Sequence, residues 1–309
     1  MSSVSVIVPV FNREKLIIRC LDSIFNQTVK PDEIIVIDNN SSDSTYSSVE
    51  KWIEHHKDSG INVFLLKEEK KGACAARQKG LENASGTLVI FFDSDDEMHP
   101  ELIEKSKLIF DNNPAFDIVS WKACIHLLDG SQKEPAFLSG NPLESHLIHG
   151  LFRPQGYMVK KEFMEKAGGW SKPVKVWNDY ELGLRLLLNN PNIVMHPETL
   201  AIIYSQEESI TGKDFSSKQG QWEATLREMD AVNDAADHPQ KNKIRRILDY
   251  RRAILAAHYY KETNFEGARH LMAQTLNGKS FGEKLLLRFS FFYTRMGLRG
   301  AWRIVRIFY

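Results

Sequence analysis

The chain has 309 residues, of which 42% are hydrophobic and 26% are charged. That composition is typical of a globular protein with a sizeable core, and it excludes a disordered or collagen-like chain. Lys plus Arg and Asp plus Glu each number 40, but residues 240–309 hold 15 basic and 4 acidic side chains, a net charge of +11. The rest of the chain is correspondingly acidic. We therefore expect the basic end to meet an anionic partner, either a lipid surface or a nucleic acid.

The spacing of the cysteines and the lengths of the apolar runs indicate in which cellular compartment the protein is expected. Cys20, Cys74 and Cys124 are widely spaced and form no Cys-x-x-Cys pair, which predicts neither a disulfide framework nor a thiolate zinc site. No basic stretch precedes an apolar run at the beginning of the sequence, and no apolar run reaches the roughly 18 residues that a membrane-spanning helix needs. We therefore expect a cytoplasmic protein without a signal peptide.

Short β-branched runs alternate with helical patterns through the first part of the chain. Buried strands are predicted at residues 4–10, 33–37, 61–66, 87–92 and 116–121. Their apolar runs are nearly continuous, as in parallel strands that are covered on both faces. Their spacing leaves room for a crossover helix between each pair. Residues 1–125 are therefore expected to form an open, doubly wound α/β unit.

Helices are predicted between these strands and beyond them. Apolar periodicity, helix-forming residues and early proline or acidic residues indicate helices at 16–25, 73–84, from His99 onward, and 178–188. Residues 200–204 are predicted to be a last strand, and after about residue 215 the pattern is entirely helical. We thus predict a domain over 1–215, followed by a helical C-terminal region over 216–309.

Acidic turns follow two of the predicted strands. Residues 38–43 (Asp-Asn-Asn-Ser-Ser-Asp) come after the second strand, and residues 93–97 (Asp-Ser-Asp-Asp-Glu) come after the fourth. Ligands of open α/β sheets bind beyond the carboxyl ends of the strands, so both turns should lie on one edge of the sheet. Such residues also cap helices. Four acids in five residues repel one another, however, and a hard cation with oxygen ligands relieves that repulsion, which favours a divalent metal at residues 93–97.

The sequence lacks two common nucleotide-binding motifs, which argues against two classes of nucleotide site. The sequence has no Gly-x-x-x-x-Gly-Lys-Ser/Thr loop, and Phe11, Asn12 and Arg13 follow the first strand where a dinucleotide fold has Gly-x-Gly-x-x-Gly. The sequence is consistent with a nucleoside-diphosphate site, in which a few carboxylates bind a metal and substrate phosphates supply its other ligands. Arg77 lies among Ala and Cys residues on the helix before the fourth strand. It is either a solvated surface arginine or, on a packed face, a phosphate or nucleotide contact.

At these residues the chain resembles the family 2 inverting glycosyltransferases of the GT-A fold. The resemblance covers about residues 3–212 and rests on an ordered set of short motifs at residues 4–12, 23–28, 34–43, 72–78, 92–96, 168–170 and 178–182. It implies an α/β fold of the GT-A type, with an open, mostly parallel sheet flanked by helices. It also implies a glycosyltransferase of the hexosyltransferase class that uses a nucleotide-sugar donor and a divalent cation, Mn²⁺ or Mg²⁺.

The resemblance assigns four residues to the nucleotide. Pro9 and Phe11 are similar to residues at the edge of the nucleotide pocket. Asp38 matches the acid that accepts a hydrogen bond from the base, and Arg77 matches an arginine that contacts the nucleotide. All four are therefore expected at the donor site.

Three aspartates complete the implied site. Asp93 and Asp95 match the DXD pair, with Asp93 near the ribose and the metal, and Asp95 on the metal that bridges the diphosphate. Asp179 matches the catalytic base, which deprotonates the acceptor hydroxyl for in-line attack on the anomeric carbon. An acid near the beginning of a helix also favours the helix dipole, so Asp179 has a structural interpretation as well.

The basic end carries arginines spaced along one predicted helix face, namely Arg288, Arg295, Arg299, Arg303 and Arg306. Aromatic and aliphatic residues cover much of the rest of that helix. This pattern is typical of an interfacial membrane helix, so residues 284–309 are predicted to contact a membrane surface. The alternative is a helix packed on the catalytic domain. No nucleic-acid motif accompanies the charge, so no nucleic-acid partner is expected.

The sequence therefore predicts an enzyme that moves one sugar from a nucleotide-sugar, expected to be a UDP-sugar, to a hydroxyl of a glycan or lipid-linked acceptor. Surface polysaccharide synthesis at the inner face of the membrane is the expected setting. Residues 219–222 lack the arginine of the Gln-x-x-Arg-Trp motif of processive synthases, which favours a single transfer. Two alternatives stay open: a nucleotidyltransferase, and a non-catalytic membrane subunit that binds nucleotide-sugar. Trp121, Trp170 and Trp177 either stack on sugar or belong to the core.

Overall fold

The computed structural model describes residues 2–134, 141–150, 152–206, 215–298 and 300. The strands are β1 (Val4–Val10), β2 (Glu33–Asp38), β3 (Asn62–Lys67), β4 (Leu88–Phe91), β5 (Glu97–Met98), β6 (Ile118–His126), β7 (Gln132–Lys133), β8 (Tyr157–Lys160) and β9 (Ile193–Tyr204). The α-helices are α1 (Ile17–Phe25), α2 (Thr45–His55), α3 (Ala73–Asn83), α4 (Leu102–Asn112), α5 (Pro142–His149), α6 (Lys161–Lys166), α7 (Asn178–Leu188), α8 (Gln219–Ala235), α9 (Lys241–Lys261), α10 (Phe265–Leu276) and α11 (Phe281–Arg295).

A single mixed sheet organises the first two thirds of the chain. Its strand order is β3-β2-β1-β4-β8-β6-β9-β5, and β7 pairs with β6. The strands β3, β2, β1 and β4 run parallel, whereas β8 is antiparallel to both β4 and β6. The predicted α/β sheet flanked by helices is confirmed. The sequence did not indicate β8, which separates the predicted fifth strand from β4.

Both faces of the sheet are covered, because alternate residues of its strands enter two separate apolar cores. Val6 and Val8 pack in one core with residues of α1, α2 and α4. Ile7 and Phe91 pack in the other, with residues of α3, α7 and the C-terminal helices. The continuous apolar runs predicted this burial, and it holds along all of β1, β2 and β4. It is wrong for the edge strand β3, where Phe64 is 46% exposed.

The predicted helices are confirmed with small shifts at their ends. Residues 178–188 form α7 as expected, and the helix predicted from His99 begins at Leu102. The last described helix, α11, ends at Arg295. The arginines predicted beyond it, at 299, 303 and 306, lie outside the described residues. Among the helices that the structure describes, none combines the length and the apolar character needed to cross a bilayer.

The C-terminal helices pack onto the same core as the sheet. Buried residues of α8, α9 and α10, including Leu226, Ile247 and Leu271, belong to one apolar cluster with Ile7 and Phe91. Division of the chain into two units after residue 215 stays a prediction. Because α9 belongs to the same core as α3 and α7, it packs together with helices that flank the sheet.

The helix α7 is held from behind by α5 and α9. His146 of α5 is fully buried, accepts at Nδ1 from the Phe152 amide (3.3 Å), and donates from Nε2 to the Tyr180 carbonyl of α7 (2.9 Å). The Tyr180 hydroxyl donates to the Leu147 carbonyl at 2.6 Å, and Arg251 of α9 donates to the same carbonyl at 3.0 Å. A neutral imidazole is thus part of the support of α7.

Burial of His146 predicts a loss of stability in acid. Burial lowers the pKa of His146 from 6.5 to about 4, so between these pH values the unfolded chain binds a proton that the native protein does not. The free energy of unfolding should therefore fall as the pH is lowered from 6.5 to 4, with His146 contributing on the order of 3 kcal/mol. Urea titrations across this range measure the effect.

The His146→Gln variant should show a smaller fall in the free energy of unfolding over that pH range, whatever its stability at neutral pH. His55→Gln, at an exposed position on α2, is the matched control and should keep the wild-type fall. Identical pH dependence in wild type and His146→Gln would contradict the account.

Candidate functional site

The ends of three parallel strands define the candidate site. Val10 at the end of β1 pairs in register with Asp38 at the end of β2, and the amide of Phe92, just after β4, donates to the Ile7 carbonyl at 2.9 Å. Because parallel strands place their carboxyl ends on one edge of a sheet, the turn at 38–43 and the turn at 93–97 share that edge. The sequence predicted this placement.

The loop after β1 lies between the two acidic turns and contacts both. The Asn12 amide donates to Ser41 Oγ at 3.0 Å, and Asn12 Oδ1 accepts from the Ser42 amide at 2.8 Å. On the other side, Arg13 Nε lies 3.3 Å from Asp95 Oδ2. Asn12 has a φ of 50°, a conformation that asparagine tolerates better than most residues. The two turns are thus connected through one short loop.

Asp38 has one carboxylate oxygen with no hydrogen-bond partner. The residue is 2% exposed, and its Oδ2 accepts from the Ser41 amide at 3.2 Å. Oδ1 is buried and meets no donor among the described residues. Leaving a buried acceptor unpaired costs about 1–3 kcal/mol, so such an atom indicates a place where a ligand supplies the donor. This is the property required of a contact to a nucleotide base.

The two other residues predicted at the nucleotide edge differ in exposure. Pro9 is buried within β1 and pairs in register with Ile37. Phe11 follows the strand and is 48% exposed. Of these two residues, Phe11 therefore presents its side chain to solvent, whereas the side chain of Pro9 is covered.

Arg77 is buried and connects the acidic turn to α7. It is 6% exposed, its Nη2 donates to Asp93 Oδ1 at 2.6 Å, and its Nη1 donates to Asn178 Oδ1 at 3.4 Å. The guanidinium carbon lies 4.6 Å from the Trp170 ring centroid, a cation–π arrangement. The interpretation of Arg77 as a solvated surface residue is therefore wrong, because α3 packs this face into the site.

Gln155 is a site residue that the sequence did not reveal. Its Nε2 donates to Asp93 Oδ2 at 2.7 Å and also to Asp96 Oδ2, and Gln155 itself is 5% exposed. The remaining oxygen of Asp96 accepts from the Tyr204 amide at the end of β9, at 2.9 Å. The only local signal was a Pro-Gln-Gly turn, which does not predict contact with residues about sixty positions away.

The predicted sugar-stacking tryptophans are mostly core residues. Trp121 and Trp170 are 3% and 2% exposed, and Trp121 Nε1 donates to the Gln155 carbonyl at 2.8 Å. Sugar stacking is therefore wrong for these two. Trp177 is partly buried and lies 4.8 Å, between ring centroids, from Trp222 of α8.

The electrostatics of residues 93–97 fit a partly completed cation site. Burial, followed by the charge of Asp93, raises the pKa of Asp95, and the same causes together with Asp95 raise the pKa of Asp96 to about 8. The carboxylates thus repel one another, and a cation would relieve that repulsion. Within the described ranges no three His, Cys, Asp or Glu side chains could ligate a metal by themselves. A cation bound by Asp93 and Asp95 would therefore need further ligands from outside the side chains of the protein.

Asp179 lies at the beginning of α7, next to the Arg77 contact. Its Oδ1 accepts from the amide of Tyr180 at 2.9 Å, and the residue is partly buried. Burial raises the pKa of Asp179, while the positive charges of Arg77 and Arg153 oppose that rise. Trp177, two residues before Asp179, has a φ of 52°, which is unusual for a bulky side chain, and such backbone conformations cluster at functional sites.

The structure therefore gathers most of the predicted site residues around one network. Asp93 and Arg77 are in direct contact, Asp95 is in the same turn, and Asp179 follows the residue that Arg77 reaches. Asp38 lies two strands away on the same edge, across the loop after β1.

Comparisons with known proteins identify relatives of the first half of the chain. The family model described as Glycosyl transferase family 2 matches residues 5–146. The Campylobacter jejuni GalNAc(5)-diNAcBac-PP-undecaprenol beta-1,3-glucosyltransferase is 45% identical over 98 residues, which are 32% of this chain and 31% of that protein. The match thus spans less than a third of that relative's length.

Solved structures show the same fold over nearly the whole chain. S. aureus TarS 1-349 in complex with UDP-GlcNAc has a TM-score of 0.69 at 18% identity, covering 96% of this chain and 92% of that one. The mannosyltransferase PcManGT from Pyrobaculum calidifontis, in complex with GDP-Man and Mn²⁺, has a TM-score of 0.55 at 21% identity, covering 93% and 79%. The chain therefore has the GT-A fold, and its residues 5–146 match the model of glycosyl transferase family 2.

Proposed function

We propose that this protein is a metal-dependent inverting glycosyltransferase that moves one sugar from a nucleotide-sugar, with UDP as the favoured nucleotide, to a hydroxyl of a glycan or lipid-linked acceptor. The observation that carries the proposal is the position of Arg77. This buried guanidinium contacts both Asp93 of the acidic turn and Asn178, the residue before Asp179. The donor-binding turn and the proposed base thus belong to one connected site.

The donor is proposed to bind along the edge from Asp38 to Asp95. The unpaired Oδ1 of Asp38 suits an N–H group of a nucleobase, and the exposed ring of Phe11 offers a flat surface beside it. The solved relatives bind UDP-GlcNAc in one case and GDP-Man with Mn²⁺ in the other. Arg77 would add positive charge near the diphosphate.

Asp95 and Asp93 would hold the divalent cation, because their carboxylates lie in one turn whose negative charge is not fully balanced by Arg13 and Arg77. When bound, Mn²⁺ or Mg²⁺ would offset the charge that develops on the leaving nucleoside diphosphate. Gln155 keeps Asp93 and Asp96 in place by donating to both.

Asp179 is proposed as the base. Its carboxylate would take the proton of the acceptor hydroxyl while that oxygen attacks the anomeric carbon and the bond to the diphosphate breaks, which inverts the configuration. The burial that raises the pKa of Asp179 makes its carboxylate a stronger base than an exposed aspartate. The amide contact from Tyr180 and the packing of α7 hold the side chain in one orientation.

The acceptor is proposed to be lipid-linked, in the synthesis of a surface polysaccharide. The Campylobacter jejuni relative carries an undecaprenol diphosphate in the name of its substrate. A cytoplasmic protein that attaches peripherally to the inner face of the membrane would meet such an acceptor. The basic C-terminal end fits an anionic surface of that kind.

The alternative of a nucleotidyltransferase is disfavoured by the loop after β1. A triphosphate-binding loop needs free amide and basic groups, whereas Arg13 pairs with Asp95 and the Glu14 carboxylate accepts from the Ser44 amide at 3.0 Å. A non-catalytic subunit differs from the proposed enzyme in one measurable property, the release of nucleoside diphosphate in the presence of acceptor.

The Asp179→Asn variant tests the proposed chemistry. Nucleoside-diphosphate release should be measured with a panel of UDP-, GDP- and dTDP-sugars, Mn²⁺ and undecaprenol-diphosphate-linked glycans. We expect kcat to fall by about 10²–10⁴-fold, the usual contribution of a positioned base, with donor binding unchanged. In the wild type, lowering the pH should reduce the rate, because acid protonates Asp179. The fall should occur at a higher pH than for an ordinary aspartate, since the pKa of Asp179 is raised.

Glu266→Gln is the matched control, because it removes an acid from the first turn of another helix, α10. It should leave kcat unchanged, which shows that removing an acid from the first turn of a helix does not by itself reduce turnover. Wild-type turnover by Asp179→Asn, or pyrophosphate as the product in place of nucleoside diphosphate, would contradict the proposed function.

A further inference from the structure

A row of apolar side chains on α11 faces solvent. We call this surface the α11 stripe; it consists of Phe281 (85% exposed), Leu285 (62%), Phe289 (38%), Phe292 (51%) and the capping residue Met296 (67%). The residues follow at steps of four, four, three and four. At about 100° per residue these steps place them within roughly 80° of one another around the helix axis. They therefore form one continuous apolar face.

The opposite side of α11 packs on the rest of the protein, so the helix is firmly attached and the exposure of the stripe follows from its orientation. Leu287 and Ser290 are buried, and Leu286 and Tyr293 pack against Tyr250 of α9. The beginning of the helix is fixed by a capping box between Ser280 and Glu283. The helix is thus held in an orientation that leaves the stripe outside.

Basic residues line one edge of the stripe. Lys284, Arg288 and Arg295 lie on the same side of the apolar face, between it and the packed side of the helix. In the part of the chain that the structure describes, Arg288 has no ion-pair partner. The one acid of α11, Glu283, lies on the other side, 3.8 Å from Arg246 of α9. Arg295 stacks on the Tyr260 ring of α9, 4.0 Å from its centroid, and keeps its positive charge. The exposed face therefore combines apolar surface with positive charge.

The apolar surface continues into a groove between α9 and α11. This cavity of about 860 Å³ is lined by the apolar side chains of Leu285, Leu286 and Phe289 and by two ion pairs, Lys279–Asp249 and Arg246–Glu283. Exposed apolar patches of this kind rarely remain uncovered in soluble monomers. The groove thus adds apolar surface to the stripe, and the basic edge of the stripe favours an occupant that is also negatively charged.

We propose that the α11 stripe docks on the surface of a bilayer containing anionic phospholipid. Apolar side chains would enter the boundary between headgroups and acyl chains, and Lys284, Arg288 and Arg295 would meet lipid phosphates at the same depth. A second copy of the chain is a poorer occupant. Its α11 brings the same basic edge and no acidic edge, so the approaching faces repel.

The docking surface is connected to the candidate site through α9. The same helix packs against α11 through Tyr250 and supports α5, behind α7, through Arg251. The inference rests on the proposed function in one respect, since a lipid-linked acceptor gives attachment its use. Docking of α11 would then hold the site near its acceptor.

Co-sedimentation of the full chain with vesicles tests the proposal. We expect binding to phosphatidylglycerol-containing vesicles, little binding to pure phosphatidylcholine vesicles, and weaker binding at about 0.5 M salt, where charges are screened over a few ångströms. Leu285→Ser should reduce partition into anionic vesicles about tenfold, because a leucine loses most of its apolar burial. Arg288→Gln should also weaken binding to anionic vesicles.

The matched control is Leu108→Ser on α4, since Leu108 is 58% exposed and lies outside the α11 stripe. It should bind vesicles as the wild type does. Failure of the wild type to bind anionic vesicles, or equal binding by Leu285→Ser and Leu108→Ser, would overturn the proposal. So would a dimer that Leu285→Ser converts to a monomer without changing vesicle binding, because the stripe would then be a self-association surface.

A separate readout keeps this test independent of the proposed function. The rise in melting temperature on adding UDP and Mn²⁺ should be the same in wild type and Leu285→Ser. Intact UDP binding without vesicle binding overturns the docking surface alone, whereas vesicle binding without any response to nucleotide overturns the donor site and leaves the docking surface standing.

Discussion

Repulsion among three neighbouring carboxylates is the constraint around which this site is built. Asp93, Asp95 and Asp96 lie in one partly buried turn, and removal from water makes their mutual repulsion stronger. Arg77 pairs with Asp93, Arg13 pairs with Asp95, and Gln155 donates hydrogen bonds to Asp93 and Asp96. Such an arrangement costs free energy unless a ligand relieves the repulsion, and in the function proposed above that ligand is a cation with a diphosphate.

The buried side chain of Arg77 connects this acidic turn to the next part of the structure, α7. Arg77 contacts Asn178 at the beginning of α7, so the acidic turn and the helix that carries the proposed base are directly connected. The other side of α7 rests on His146 of α5, and Arg251 of α9 secures the end of α5. The C-terminal helices are therefore part of the support of the site, in the way that preorganised sites require a second layer of fixed contacts.

Sequence reasoning succeeded where a local pattern determined position. The ends of parallel strands must share an edge, so Asp38 and the turn at 93–97 were placed together from the order of the elements alone. Sequence reasoning failed where contacts between residues far apart in the chain determine the structure. Strand β8 has four residues and gave no signal, Gln155 meets Asp93 only through the fold, and the burial of Arg77 depended on how α3 packs. For α11, periodicity predicted an amphipathic helix, but tertiary packing decided that Leu286 faces inward and Leu285 outward.

The central claim is that two acidic turns, joined by the loop after β1, bind one nucleoside diphosphate and its cation. The most direct measurement is the melting temperature of wild type, Asp38→Ala and Asp95→Ala with UDP, with and without Mn²⁺, because a ligand of the native state raises the midpoint. Asp43→Ala is the control from the same turn as Asp38, since its carboxylate contacts Thr45 within the turn. The account predicts a rise in wild type and Asp43→Ala that needs both ligands, loss of the Mn²⁺-dependent part in Asp95→Ala, and a smaller rise in Asp38→Ala. Equal rises in all four proteins, or no response of the wild type to UDP with Mn²⁺, would contradict it.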